Sequence, residues 1–225
     1  MCDTCGCGDT EIVPVDVRER ILSHNDHQAA HNRQHFVAGG VLAINLMGSP
    51  GAGKTAMLEA TARALPDAKL AAISGDLATD HDEARLSHAG ITAATINTDS
   101  GCHLDAELVH RRLHDVPWRD ASVLFIENVG NLVCPAVYDL GQAANVVALS
   151  VTEGVDKPEK YPVMFRAADL VLLTKIDLLP HLPGISVEAI AASLAKVNPQ
   201  PRLLPVSAVS GEGIGAWTDW LASRR

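Results

Sequence analysis

The eight residues Gly48 to Thr55, GSPGAGKT, decide the fold. They match G-x-x-x-x-G-K-[ST] in full, and their flanks are the ones such a motif requires. The apolar run Val41 to Met47 (VLAINLM) reads as a buried strand, and Ala56 to Ala64 reads as a helix of strong helix formers. In a phosphate-binding loop of this kind the glycines let backbone N–H groups turn inward around a β-phosphate. Lys54 reaches the β- and γ-phosphates, and Thr55 offers its hydroxyl to Mg²⁺ at a helix N-terminus. The expected nucleotide contacts here are Gly48, Pro50, Gly51, Ala52, Gly53, Lys54, Thr55 and Ala56.

Outward from the loop, buried strands are predicted at Lys69 to Ser74, Val123 to Glu127, Asn145 to Val151 and Leu170 to Thr174. Helices are predicted at Ala106 to Leu113 and Ser186 to Lys196. A further helix from Val17 to Phe36 is suggested by the spacing of Val17, Ile21 and Leu22 and is closed by Gly39 and Gly40. Continuous apolar strands alternating with helices give a three-layer α/β fold with a mostly parallel sheet covered on both faces. The 225 residues fit one such domain over 17–225, with 1–16 as a short cysteine-rich N-terminal tail. A formal net charge of -9 and an aromatic content of 4% argue against nucleic acid as a partner. The start, MCDTCGCGDT, has neither a basic nor an apolar leader region, and no apolar run reaches membrane-spanning length. A cytoplasmic chain without membrane contact is therefore expected. In that compartment cysteines are metal ligands or small buried side chains more readily than disulfides.

The motif alone does not choose between ATP and GTP. Thr174 to Asp177, TKID, follows an apolar strand and resembles the [NT]-K-x-D element in which a carboxylate accepts hydrogen bonds from guanine N1 and the 2-amino group. Lys175 and Asp177, with Ser207 and Ala208 of VSAVSGEG further on, stand in the order of a guanine-binding site, and GTP is favoured over ATP. An acid near Mg²⁺ is also needed. Glu127, at the end of VLFIE, is the stronger candidate and Asp76, after LAAISG, the second. Lys54, Asp76 and Glu127 are the candidate catalytic set, and Thr55, Asp76 and Glu127 the candidate magnesium set.

Cys2, Cys5 and Cys7 form C-x-x-C-x-C, a spacing that lets one turn gather three thiolates. With Met1 removed, the Cys2 amine completes an S₃N set suited to square-planar Ni²⁺ or tetrahedral Zn²⁺. Cys102 and His103 (SGCHLDA) and Cys134 (ENVGNLVCP) are open to two readings, as buried or capping residues or as ligands. His24, His27, His31 and His35 recur at three- and four-residue steps and would form one helical stripe, open to weak metal binding but read first as a solvated polar face and not included among the site residues.

Across nearly its whole length the chain resembles the HypB family of hydrogenase-maturation GTPases, which are related to the urease accessory UreG proteins. The resemblance lies in MCDTCGCG, NRQHF, NLMGSPGAGKT, GDLATDHDEAR, GCHLDA, ENVGNLVCP, EGVDKPEKYP, TKIDLL and VSAVSGEG. UreG proteins carry a C-P-H tripeptide instead and lack the N-terminal cysteine cluster. The resemblance implies a Mg²⁺-dependent GTPase that binds nickel, assists its insertion into [NiFe]-hydrogenase and forms a homodimer with nucleotide. It also implies work alongside other maturation proteins and the precursor of the hydrogenase large subunit. By the same resemblance Cys2, Cys5 and Cys7 hold one nickel site, and Cys102, His103 and Cys134 form a second, for Ni²⁺ or Zn²⁺, at the dimer interface. Asp76 then belongs to the magnesium and switch region. The alternative is a nickel or zinc carrier or sensor in which nucleotide is mainly structural.

Overall fold

The computed structural model describes residues 15–75, 80–96, 103–199 and 202–225. In chain order the elements are α1 (Val15–Gly39), β1 (Leu42–Gly48), α2 (Lys54–Ala64), β2 (Leu70–Ser74), α3 (Asp80–His88), β3 (Thr92–Thr95), α4 (Ala106–Arg112) and β4 (Val123–Glu127). They continue with β5 (Ala144–Ser150), α5 (Lys157–Lys160), α6 (Pro162–Arg166), β6 (Leu170–Thr174), α7 (Val187–Val197), β7 (Leu203–Pro205) and α8 (Ile214–Ala222). The strands form one seven-stranded sheet in the order β3-β2-β4-β1-β5-β6-β7, and every pairing is parallel. After β1 the chain first fills one side of that strand and then the other. The carboxyl end of β1, where the phosphate-binding loop begins, is thus the switch point at which open parallel sheets bind ligands.

Alternation along each strand divides the core. Leu42, Ile44 and Leu46 of β1, Val123 and Phe125 of β4 and Val146 of β5 face one way and pack with Met57, Leu58, Leu86, Trp217 and Trp220. Ala43, Ile73, Leu124 and Ile126 face the other way, against Phe36, Val109 and Trp118 of the α1 and α4 side, while Val147, Leu149, Val171 and Leu173 meet Phe165, Ile190 and Leu194. Both faces are covered, so the strands read as continuous apolar runs.

The edges differ from expectation. β3 and β7 bound the sheet and were not foreseen, because TAAT is small and half-exposed and β7 has only three residues. Helix α2 starts at Lys54, two residues before Ala56, because Gly53 takes the left-handed conformation (φ 93°, ψ 21°) that turns the chain straight into the helix.

Helix α1 docks in an unusual way. Its inward positions are Leu22, Asn25, Ala29, Asn32 and Phe36, so two of five seam residues are amides. Asn25 Nδ2 donates to the Asp139 carbonyl (2.8 Å), and its Oδ1 accepts from the Ala106 N–H (2.9 Å). Asn32 Nδ2 donates to the carbonyls of Ala106 (2.8 Å) and Leu140 (3.2 Å). The helix is thereby keyed to the start of α4 and to the turn at 139–141. Replacing Asn32 by Ala strands two buried carbonyls and is expected to cost about 1–3 kcal/mol. Arg33→Ala, which removes only an exposed ion pair to Asp139 (2.6 Å), is expected to cost under about 1 kcal/mol. Urea midpoints of the two variants measure the difference.

Candidate functional site

The loop after β1 is wrapped by other segments. Gly53, as N-cap of α2, has no side chain to offer, so the first-turn N–H groups of the helix remain for an anion. Lys54 is buried, and its Nζ donates to the Ser49 carbonyl (3.4 Å), so the ammonium folds back over the loop. Ser49 Oγ donates to Glu153, a residue the motif does not mention, and Glu153 is also paired with Lys157 (3.3 Å). These groups fit a polyphosphate: backbone donors, a buried ammonium and a helix N-terminus converge on one loop.

Glu127 closes β4 beside this loop and is 1% exposed. Its Oε1 accepts from the Thr55 hydroxyl (2.8 Å) and its Oε2 from the Ser74 hydroxyl (3.2 Å). A buried carboxylate next to the threonine hydroxyl of a phosphate-binding loop supplies the hard oxygen donors that a magnesium ion takes. Asp76, the second candidate, lies outside the described residues.

At the end of β6, Lys175 takes a left-handed conformation (φ 60°), and its Nζ donates to the Gly51 carbonyl (2.6 Å). Thr174 Oγ1 donates to the Ala52 carbonyl (2.6 Å). The TKID segment is therefore bonded directly to the phosphate loop. Ser207 Oγ donates to Asp177 Oδ1 (2.6 Å) and accepts from the N–H groups of Val209 (3.2 Å) and Ser210 (3.0 Å), which fixes both the carboxylate and the turn that carries Ala208. Arg63 Nη2 donates to the Ala208 carbonyl (2.9 Å), tying that turn to α2.

Asn128, next to Glu127, was not singled out by any motif. It is fully buried, its Oδ1 accepts from the Leu104 N–H (3.2 Å), and its Nδ2 donates to Asn45 Oδ1 (3.1 Å). Asn45 in turn donates to Asn145 (3.0 Å), so a chain of amides crosses the central strands. Leu104 follows His103 directly. One dipeptide, Glu127–Asn128, thus bonds to the phosphate loop with one side chain and to the segment after His103 with the other.

His103 is 9% exposed and stacks on Tyr138 (centroids 3.9 Å apart, planes 18° apart). Burial pushes its pKa below the usual histidine value, and the Asp105 carboxylate opposes that shift. Cys134 is buried and opens the short 3-10 helix Cys134–Ala136, just before Tyr138. The stack brings the His103 and Cys134 segments together. The loop between Glu127 and Cys134 leans on the phosphate loop: Asn131 forms a β-bridge with Gly48, and a Cβ at Gly130 would sit 2.8 Å from Pro50 Cγ. Cys102, Cys2, Cys5 and Cys7 lie outside the described residues. No helix among the described residues is long and apolar enough to cross a membrane.

Residues 42–205 match the family model of the CobW/HypB/UreG nucleotide-binding domain. The chain is 51% identical over 212 residues to the hydrogenase maturation factor HypB of Azotobacter chroococcum mcd 1, covering 94% of this chain and 69% of that protein. Its backbone superposes with a TM-score of 0.83 on the crystal structure of HypB from Archaeoglobus fulgidus, at 38% identity over 90% of this chain and 98% of the other. The same score holds against HypB from Helicobacter pylori in complex with nickel, at 36% identity over 89% and 94% of the two chains. With its parallel sheet, its phosphate loop and these relatives, the chain belongs to the CobW/HypB/UreG family of nucleotide-binding proteins and, within it, to the HypB hydrogenase maturation factors.

Proposed function

We propose that this protein is a GTP-hydrolysing metallochaperone that binds nickel and assists its insertion into [NiFe]-hydrogenase, acting in the cytoplasm. The observation that carries the proposal is the Glu127–Asn128 dipeptide, with the Thr55 hydroxyl on Glu127 and the Leu104 N–H on Asn128. Thr55 and Glu127, joined by Asp76, hold Mg²⁺, which when bound neutralises charge on the β- and γ-phosphates. Lys54 and the α2 N-terminus bind the same oxygens. Nucleotide binding would draw the Thr55 hydroxyl, now on Glu127, towards the magnesium ion that Thr55, Asp76 and Glu127 would hold. The buried carboxylate loses a donor, and β4 with its following loop must readjust. Asn128 passes that adjustment to Leu104 and so to His103, while the loop from Gly130 to Cys134 responds through Pro50. Cys102, His103 and Cys134 form the second nickel or zinc site, and hydrolysis reverses the adjustment and loosens it.

Val133 and Val137, which bracket Cys134, are large apolar side chains 52% and 49% exposed. That surface supports a nucleotide-dependent homodimer in which the second metal site lies at the interface. The first site is assigned to the tail 1–16 through Cys2, Cys5 and Cys7. Relatives named as hydrogenase maturation factors support further contacts with other maturation proteins and with the hydrogenase large-subunit precursor.

Two substitutions test the enzyme. Lys54→Ala is expected to lower GTP hydrolysis by about 100-fold or more and to abolish hydrogenase maturation in cells. Full maturation with the variant would instead mark nucleotide as a structural ligand of a metal carrier. Asp177→Asn exchanges two acceptors for an acceptor and a donor. It is expected to weaken GTP binding by about 100-fold and to improve binding of xanthosine triphosphate, whose ring carries a carbonyl where guanine has its 2-amino group. Unchanged competition by GTP, ATP and xanthosine triphosphate would remove Asp177 from the base site.

A further inference from the structure

A second cluster of ligand-type side chains lies away from the nucleotide, where α1 crosses α4. His31 and His35, one turn apart on α1, meet His110 on α4, and one ring nitrogen from each falls within 4.8 Å of the others. The Nε2 atoms of His31 and His35 are 3.1 Å apart. That separation matches the edge between two ligands of one ion: nitrogens about 2.0–2.1 Å from a metal stand about 2.9–3.4 Å apart at bond angles between square and tetrahedral. The ring centroids of His110 lie 5.1 Å and 5.8 Å from those of His31 and His35. His31 is exposed and the other two are half-buried, so the cluster is open to solvent on one side.

The orientation of His110 is fixed from behind. Both amide hydrogens of Asn32 are committed to the carbonyls of Ala106 and Leu140, so its Oδ1 faces His110 Nδ1 at 3.0 Å. Nδ1 must then carry the proton, leaving the lone pair on Nε2. A buried amide that holds the far ring nitrogen and so sets the tautomer is the usual support of a histidine metal ligand. The His31–His35 contact tells the same story, since two imidazole nitrogens at that distance share one proton, whose place a cation takes. Burial and the neighbouring histidines hold His35 and His110 below the usual histidine pKa. Arg119 adds to this at His35, whereas Glu107 opposes it at His110. Neutral rings are the ligating form.

We propose that His31, His35 and His110 form a third metal site, a three-imidazole centre for a borderline divalent ion, Ni²⁺ or Zn²⁺, with water completing the shell. The ion staples α1 to α4. Because α4 begins three residues after His103, the staple also steadies the segment that leads to the second cysteine-histidine site.

The test uses the full chain with Cys2, Cys5, Cys7, Cys102 and Cys134 all changed to Ser, titrated with Zn²⁺ and separately with Ni²⁺ by equilibrium dialysis. One equivalent is expected to remain bound. His35→Ala or His110→Ala is expected to weaken it by at least about 100-fold, while His24→Ala and His27→Ala on the same helix leave it in place. Should the cysteine-free chain fail to fold by circular dichroism, the comparison is made in the native sequence. There His35→Ala must lower the bound stoichiometry by one and leave the thiolate-to-nickel charge-transfer absorption unchanged. Absence of the equivalent, or its persistence in both His35→Ala and His110→Ala, overturns the proposal.

Discussion

The arrangement depends on a buried carboxylate held at the end of a central strand. Glu127 sits almost out of water with hydroxyl donors from Thr55 and Ser74. A buried charge is stable only while its hydrogen bonds persist, and removing one is costly. Asn128 stands next to Glu127, and its side chain is bonded beyond the phosphate loop, to the Leu104 N–H and to Asn45.

The same logic of committed amides recurs in α1. A helix whose seam includes Asn25 and Asn32 gains less from apolar burial than one lined with leucine, but it gains register. Its bonds reach the Ala106 backbone and the turn at 139–141, so it spans the two segments that follow His103 and Cys134. The phosphate loop, the segments that follow His103 and Cys134 and α1 are thus joined by directional bonds at a few positions, all set on a parallel sheet with an apolar core on both faces.

Much of this was legible from the residues. GSPGAGKT with its flanking strand and helix defines the phosphate loop, because the motif and the local pattern demand the same geometry. The runs VLFIE and LVLLT show as strands because both of their faces are buried. TKID and VSAVSGEG stand in the order of a base-binding site, but the bond from Ser207 to Asp177 that ties them together shows only in the fold. Other features were hidden for physical reasons. The TAAT edge strand carries no apolar signal, and β7 is too short to have a period. Asn128 looks like any polar residue after a strand, since its role lies wholly in a bond to Leu104, which is distant in sequence. The stripe His24, His27, His31 and His35 read as a solvated face, which describes exposed His24 and His27. It missed that His31 and His35 meet His110, because that contact arises only when two helices dock.

The central claim is that occupancy of the nucleotide site and affinity for metal are one linked equilibrium, transmitted by Glu127 and Asn128. The measurement is the nickel dissociation constant of the Cys102, His103 and Cys134 site, taken in the full chain with Cys2, Cys5, Cys7 and His110 replaced by Ser, Ser, Ser and Ala, with GDP and with a non-hydrolysable GTP analogue, with and without the further change Asn128→Ala. A ratio of at least about five between the two nucleotide states is predicted with Asn128 in place, and a smaller one in Asn128→Ala. Equal affinities in the two nucleotide states without the Asn128 change, or a ratio left undiminished by Asn128→Ala, would contradict it.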